Sequence, residues 1–368
     1  MIIKSFTAKD FRNIENETIE FSRSVNLLSG NNAEGKTNAI EGIYLFARGR
    51  SFRGESDKEL IKFGSDGFYI SIKYEDRFGD GELEYSVFGR ETRRKKNGNK
   101  LRSQRELLGS FRAVLFSPDD LLLVKGSPDM RRSFLNIAIG QIRDIYIKSY
   151  SNYKKALENR SRILKTCQKG GYFDEYEIIS WSEYMAEYAA NIYLYRKEYI
   201  KKLEKYSKII MCDISGGKED IDFEYISDIE NDTDDIGLIK EEYKRIFTEN
   251  LEKEKIIGTT LYGPQRDDLE IKINGKSARS YASQGQQRSI VLSIKLAEGE
   301  VSREETGEYP VFLLDDVLSE LDEGRRGFLL SGLSNRQIIM TSCECDTDKI
   351  KPERIITVSG GKYLVGGV

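Results

Sequence analysis

The chain contains no histidine, and that absence excludes more chemistry than any other feature of its composition. A Ser-His-Asp triad, an HExxH zinc site and an imidazole acid or base are all ruled out, so catalysis has to run on carboxylates, Lys, Arg, hydroxyls or a bound metal. Cysteine is scarce: Cys167, Cys212, Cys343 and Cys345 form no C-x-x-C pair. They read as buried or incidental thiols rather than a disulfide framework or a zinc site. No apolar run approaches the ~18 residues a membrane helix needs, and Met1-Ile2-Ile3-Lys4-Ser5-Phe6 lacks a signal peptide's apolar stretch, so the expected location is cytoplasmic. An excess of one charge is missing too, because 58 Lys and Arg stand against 61 Asp and Glu, a net charge of −3. Any binding of nucleic acid must come from a local patch.

What remains is a surface-rich composition, 32% charged and 39% hydrophobic, in a 368-residue chain long enough for about two domains with real cores. The first 120 residues read as strand-rich with one helix. Val25–Ser29 is a short apolar strand entering Gly30, and Thr37–Arg48 is helical, with Ile40, Ile43, Tyr44 and Phe46 on its apolar side. Phe68–Lys73 and Gly81–Phe88 alternate like half-buried antiparallel strands, Asn97-Gly98 marks a hairpin turn, and Ala113–Phe116 is another strand. From Pro128 to Lys208 the texture is helical, with apolar residues at steps of three, four and seven on both sides of Gly170-Gly171. This predicts an antiparallel helix pair in a compact subdomain, each limb ~50 Å long at 1.5 Å per residue. Glu219–Asp235 reads as an acidic surface loop, Ile236–Lys253 as an amphipathic helix, and Thr259–Tyr262 and Leu269–Ile273 as strands before the Asn274-Gly275 turn. The last third alternates helix Ser283–Arg303, strand Val311–Leu314, helix Glu323–Leu333 and strand Gln337–Thr341, then ends in a hairpin through Ser359-Gly360-Gly361. Such alternation predicts a mostly parallel sheet completed by the Val25 strand, hence a discontinuous nucleotide domain with the helices inserted into it.

Gly30-Asn31-Asn32-Ala33-Glu34-Gly35-Lys36-Thr37 fits G-x-x-x-x-G-K-[ST] without a mismatch, and it lies between a strand and a helix. A glycine-permitted loop at a helix N-terminus supplies converging amide donors for phosphate, Lys36 a mobile charge for the β/γ-phosphates of ATP, and Thr37 a hydroxyl ligand for Mg²⁺. Val311-Phe312-Leu313-Leu314-Asp315-Asp316 is an apolar strand delivering two carboxylates. Asp315 is placed to hold Mg²⁺, and Asp316 to position or deprotonate the attacking water. Ser283-Gln284-Gly285-Gln286-Gln287-Arg288 opens a long helix. One reading is a Ser N-cap; the other is a second anion site whose Ser283 and Gly285 serve the phosphate held by another copy of the chain.

In order, the phosphate loop, helical insert, S-x-G-Q-Q signature, Leu-Leu-Asp-Asp and Ser319-Glu320-Leu321-Asp322 resemble the ABC-type ATPases of the SMC group. The details are similar to the RecF family in particular: Asp10-Phe11-Arg12-Asn13, Gly49-Arg50-Ser51-Phe52-Arg53, Phe116-Ser117-Pro118-Asp119-Asp120, Arg131-Arg132-Ser133-Phe134-Leu135, Asn159-Arg160 and Gly263-Pro264-Gln265-Arg266-Asp267-Asp268-Leu269. Two positions depart, since the family usually has His where Gln265 stands and Asp where Asn136 stands. The resemblance implies an α/β ABC-type P-loop ATPase head, a mixed sheet with an antiparallel part, over 1–120 and 255–368, with an inserted α-helical domain over 121–254. It also implies ATP and Mg²⁺ as cofactors, an ATP-dependent homodimer, gapped or junction duplex DNA as partner, and RecR- and RecO-type mediators in loading a recombinase. By position it implies nucleotide contacts from Gly30 to Asn38, from Arg12 and Asn13, and from Ser283, Gly285 and Gln286. Asp119 or Asp120 falls in the Q-loop region, and Thr341 takes the switch position that many such ATPases fill with histidine.

The sequence offers one basic stretch for DNA, Arg93-Arg94-Lys95-Lys96, flanked by Arg90, Lys100, Arg102 and Arg105 around the Asn97-Gly98 turn. A hairpin of this kind can track a phosphate backbone, and it can equally be a solubilised edge. Two functions follow from different classes: a slow ATPase acting as a DNA clamp, or an ABC-type ATPase subunit of a transport or assembly complex.

Overall fold

The structure, a computed structural model, describes residues 1–54, 56–231, 233–343 and 350–366, so Cys345 and Asp232 of the acidic stretch lie outside the described residues. It divides into two compact units, Met1–Val124 with Tyr206–Glu219 and Ser283–Val368, and Lys125–Lys205 with Asp220–Ala282. These boundaries differ from the expected ones: 206–219 joins the first unit and 255–282 the second. Strand pairing accounts for the latter difference, because Ile221–Ile226 runs antiparallel to Asp268–Ile273 and holds both in one small sheet.

The first unit is built on two sheets. One is antiparallel, in the spatial order Ile14–Glu20, Ile2–Phe11, Gly67–Asp76, Gly79–Phe88, Glu91–Lys96 and Asn99–Lys100. The other runs Lys362–Gly366, Arg354–Ser359, Val25–Ser29, Ile338–Ser342, Val311–Leu314 and Ala113–Phe116, parallel except for the terminal hairpin. Helix Lys36–Arg48 lies between them, its inner residues fully buried. Gly42 is required there, because a Cβ would run into the Phe6 ring of the antiparallel sheet. On the other face of the parallel sheet, Leu292 and Leu296 of helix Gln284–Thr306 pack with Phe312, Leu314, Leu27 and Met340. Period-two alternation therefore turns Val311, Leu313 and the next odd residue, Asp315, toward the Lys36–Arg48 helix. That alternation decides which carboxylate meets the phosphate loop.

The second unit holds helices Pro128–Ile142, Asp144–Gln168, the start of Glu175–Ser215, Ile236–Glu249 and Leu251–Ile257. Asp144–Gln168 and Glu175–Ser215 are antiparallel, as the contacts Tyr146 to Tyr195 and Arg160 to Ser182 show. At 25 and 41 residues they span about 37 and 61 Å. Thr259–Tyr262 forms no strand, and Ile221–Ile226 inside the expected acidic loop does. The helix expected over Ile236–Lys253 breaks at Asn250 into two. Two ion pairs are sealed in this unit, Arg160 with Glu254 at 2.6 Å and Arg196 with Asp267 at 2.9 Å, each with side chains at most 1% exposed. Among the described residues no helix is long and apolar enough to cross a membrane.

Candidate functional site

The loop between strand Val25–Ser29 and helix Lys36–Arg48 is confined by backbone at Gly30 and by a side chain at Gly35. Gly30 lies so close to the Val358 carbonyl that a Cβ could not fit, and Gly35, at φ 112°, would drive one into the Asn13 carboxamide at 2.6 Å. Asn13 in turn donates to the Glu34 carbonyl at 3.0 Å and accepts from Asn38 Nδ2 at 2.9 Å. The terminal hairpin closes the other side: the Gly361 N–H donates to the Glu34 carbonyl at 2.9 Å, Gly360 N–H to the Glu34 carboxylate, and the buried Tyr363 hydroxyl to the Gly35 carbonyl at 2.7 Å. Asn31, Asn32 and Ala33 form the exposed crest.

Lys36 is 6% exposed, and its ammonium is held at the mouth of this loop by the carbonyls of Gly30 at 2.5 Å and Asn31 at 2.9 Å, with Cys343 Sγ at 3.3 Å. Thr37 Oγ1 donates to Asp315 Oδ1 at 2.9 Å, bridging the phosphate-loop helix to the strand that ends at Leu314. Burial pushes the Asp315 carboxyl above its ordinary range, opposed by the hydrogen bonds from Thr37 and Thr341. A hydroxyl and a carboxylate at this spacing are hard oxygen donors, the set that Mg²⁺ prefers. Asp316 follows with φ at 54°, a left-handed turn that takes its side chain out of the strand's alternation, and its carbonyl accepts from Ser319 Oγ at 2.7 Å.

Arg12 is tied to the phosphate-loop helix and donates as well to the Glu59 carbonyl at 3.1 Å. Its guanidinium forms a two-pronged pair with Glu41 at 3.0 and 2.8 Å, and Glu41, fully buried, also accepts from Ser51 Oγ at 2.5 Å and lies 3.6 Å from Arg53. Arg53 reaches Asn38 Oδ1 at 3.2 Å. Sequence reasoning missed Glu41, Tyr363 and Cys343 as parts of this site. For Glu41 a signal was present, a carboxylate between Ile40 and Gly42 on a helix whose surroundings are apolar.

Ser283 is exposed and caps its helix reciprocally with Gln286: the Ser283 N–H donates to Gln286 Oε1 at 2.8 Å and Gln286 N–H to Ser283 Oγ at 3.2 Å. Gln286 Nε2 donates to Glu219 at 2.9 Å, and Gly285 lies under the Arg325 guanidinium. The Leu318–Asp322 segment is tied to this same helix by Arg288 to Glu320 at 3.0 Å, and the helix that follows it, Glu323–Gly332, by Arg325 to Ser289 at 2.8 Å. In the Q-loop region Asp120 accepts the Ser117 N–H at 2.6 Å, while Asp119 is exposed. The basic hairpin is less free than its charge count indicates. Arg93 pairs with Glu91 at 2.7 Å, Lys95 with Glu84 at 3.2 Å, Lys96 donates to Ser110 at 3.1 Å, and Arg94 sits 4.7 Å over the Tyr85 ring.

The two departing positions both lie in the second unit's buried network. Asn136 Oδ1 accepts from Tyr146 at 2.5 Å and from Arg196 at 3.1 Å; Gln265 accepts from Tyr153 and donates to the Tyr262 carbonyl at 2.8 Å. With a neutral Asn136, Asp267 is the carboxylate that, among the described residues, pairs with Arg196.

A glycine-bounded loop on a strand-to-helix turn, its threonine bonded to the carboxylate of a neighbouring parallel strand, an antiparallel second sheet and a separate helical unit together define a P-loop ATPase head of the SMC kind. Residues 2–359 match the RecF/RecN/SMC N terminal domain family. The chain belongs to the RecF family. It is 37% identical over 99% of its length to the whole of the DNA replication and repair protein RecF of Staphylococcus epidermidis, and 38% identical over 97% of its length to 96% of that of Clostridioides difficile. The solved structure of the recombination mediator protein RecF-ATP in the RecFOR pathway superposes with a TM-score of 0.93 at 35% identity, over 100% of this chain and 98% of that one. The Smc head domain of Pyrococcus furiosus, at a TM-score of 0.58 and 16% identity over 100% of this chain and 96% of that one, shares the fold.

Proposed function

We propose that this chain is an ATP-dependent DNA-binding protein of recombinational repair, a slow ATPase whose nucleotide-bound dimer holds gapped or junction duplex DNA and helps RecR- and RecO-type mediators load a recombinase. The relatives' names supply the repair context. The observation that carries the ATPase part is the 2.9 Å hydrogen bond from Thr37 to Asp315, which unites two motifs 278 positions apart. In this reading the amides from Gly30 to Asn38 cradle the phosphates, with Arg12 and Asn13 at their flank, and Lys36 moves from its loop carbonyls to the β/γ-phosphates. Thr37 and Asp315 are the residues that would hold Mg²⁺, which when bound would supply positive charge against that developing on the phosphoryl oxygens. Asp316 orients the attacking water and accepts its proton. Ser283, Gly285 and Gln286 complete the site of a second copy, and the hairpin Arg93-Arg94-Lys95-Lys96 contributes phosphate-backbone contacts. Light scattering with and without ATP and Mg²⁺, then with gapped duplex, tests this: dimers should form only with the nucleotide, and DNA should raise hydrolysis. A protein that stays monomeric with ATP and hydrolyses it at a DNA-independent rate would overturn the clamp.

A further inference from the structure

The two aspartates after strand Val311–Leu314 share one clamp, on the carboxylate of Asp315 and the backbone of Asp316, and it comes from the next strand. Thr341 is 2% exposed; its Oγ1 donates to Asp315 Oδ1 at 3.0 Å and accepts the Asp316 N–H at 2.9 Å. A threonine hydroxyl has a single proton, here committed to Asp315, while a lone pair takes the amide of the residue in the left-handed turn. The same Asp315 oxygen also receives Thr37 of the phosphate-loop helix, so two hydroxyls from different elements fix the orientation of that carboxylate. The hydroxyl's one proton is thereby committed within the chain, at the position that the resemblance identifies as the switch.

We propose that Thr341 is a positioning residue rather than a phosphate sensor: it locks the rotamer of Asp315 and the turn at Asp316, so that one carboxylate is aimed at the metal and the other at the water. The inference rests on the nucleotide site proposed above and deepens it. Removing the hydroxyl at constant volume should loosen both carboxylates, whereas shortening the side chain while keeping the hydroxyl should not. Residues that orient a metal ligand in this way typically account for about 10–100-fold in metal affinity or activity.

The test uses the full chain as Thr341→Val and Thr341→Ser beside wild type. Binding of a fluorescent ATP analogue is titrated with Mg²⁺ and repeated in EDTA, ATP is competed against ADP, and melting is followed without nucleotide. Thr341→Val should need about 10-fold more Mg²⁺ for half-maximal binding, keep its affinity in EDTA and its preference between ATP and ADP, and hydrolyse at least 10-fold more slowly. Thr341→Ser should restore the Mg²⁺ requirement to within about 3-fold of wild type. An unchanged Mg²⁺ requirement in Thr341→Val, a Ser variant as defective as Val when both melt above the assay temperature, or a selective loss of ATP over ADP would each overturn the inference. Wild-type binding that ignores Mg²⁺ would overturn the metal site itself, which keeps the two failures apart.

Discussion

Lys36 shows how a buried cation can be held without a carboxylate: its ammonium rests on the Gly30 and Asn31 carbonyls, partial charges that the full charge of a phosphate would outcompete. Lys36→Met retains length and apolar bulk but removes the charge, and ATP hydrolysis should fall at least ~100-fold, about 2.7 kcal/mol in the barrier, as measured by phosphate release. The neighbouring carboxylates separate by direction. Asp315 faces Thr37, whereas Asp316 leaves the strand at φ 54°. Asp316→Asn is accordingly expected to bind ATP and dimerise more persistently with hydrolysis down ~10²–10⁴-fold, while Asp315→Asn should weaken Mg²⁺-dependent binding itself. Identical behaviour of the two variants would remove that division of labour. In the second unit, Arg160 also donates to Ser182 and Thr260 besides pairing with Glu254, which in turn accepts the Leu261 N–H at 2.7 Å. Arg160→Met should cost about 3–5 kcal/mol in urea unfolding, because it leaves a carboxylate buried without its partner.

At the scale of elements, most of the parallel sheet was legible because its strands are short apolar runs bounded by turn residues. Val25–Ser29, Ala113–Phe116 and Val311–Leu314 have the expected limits. Ile221–Ile226 was hidden by its company: Ile221, Phe223 and Tyr225 alternate with Asp222 and Glu224, but the acidic surroundings argued for a loop. Thr259–Tyr262 looked like a strand, yet its polar groups are taken by side chains, Thr260 Oγ1 by Arg160 and Leu261 N by Glu254. The buried pairs, and the Glu34 contacts to Gly360 and Gly361, join residues far apart in the chain, and no local pattern encodes such partners. The basic hairpin was found from composition alone; the Glu84 partner of Lys95 became visible only through cross-strand register, whereas Glu91 lies two residues from Arg93 on the same strand. Replacing Arg93, Arg94, Lys95 and Lys96 by Gln removes the charge without adding repulsion against those glutamates. DNA affinity and its salt slope should both decrease in fluorescence anisotropy with DNA-free hydrolysis intact; undiminished affinity would leave the hairpin as a solubilised edge.

For the whole molecule the central question is catalysis in trans. Ser283 caps its own helix and is exposed, so Ser283→Arg should still bind ATP through Lys36 but neither dimerise nor hydrolyse. Mixing it with Lys36→Met gives heterodimers with one intact composite site, and partial recovery of hydrolysis is expected; a Ser283→Arg monomer turning over at the wild-type rate would return the motif to a helix cap. The sheet order carries a different consequence, one in time. The strand that feeds the phosphate loop has as neighbours Ile338–Ser342 and Arg354–Ser359, and its Asn26 bonds to the Ile338 carbonyl 312 positions away. At a ribosomal rate of about 5–20 residues per second, Val25–Ser29 therefore emerges roughly 15–60 s before either neighbour exists. Throughout that interval an apolar strand with two unpaired edges is open to pairing with other nascent chains. Slower elongation should increase the yield of aggregates, and supplying the C-terminal third as a separate polypeptide during synthesis should lower it.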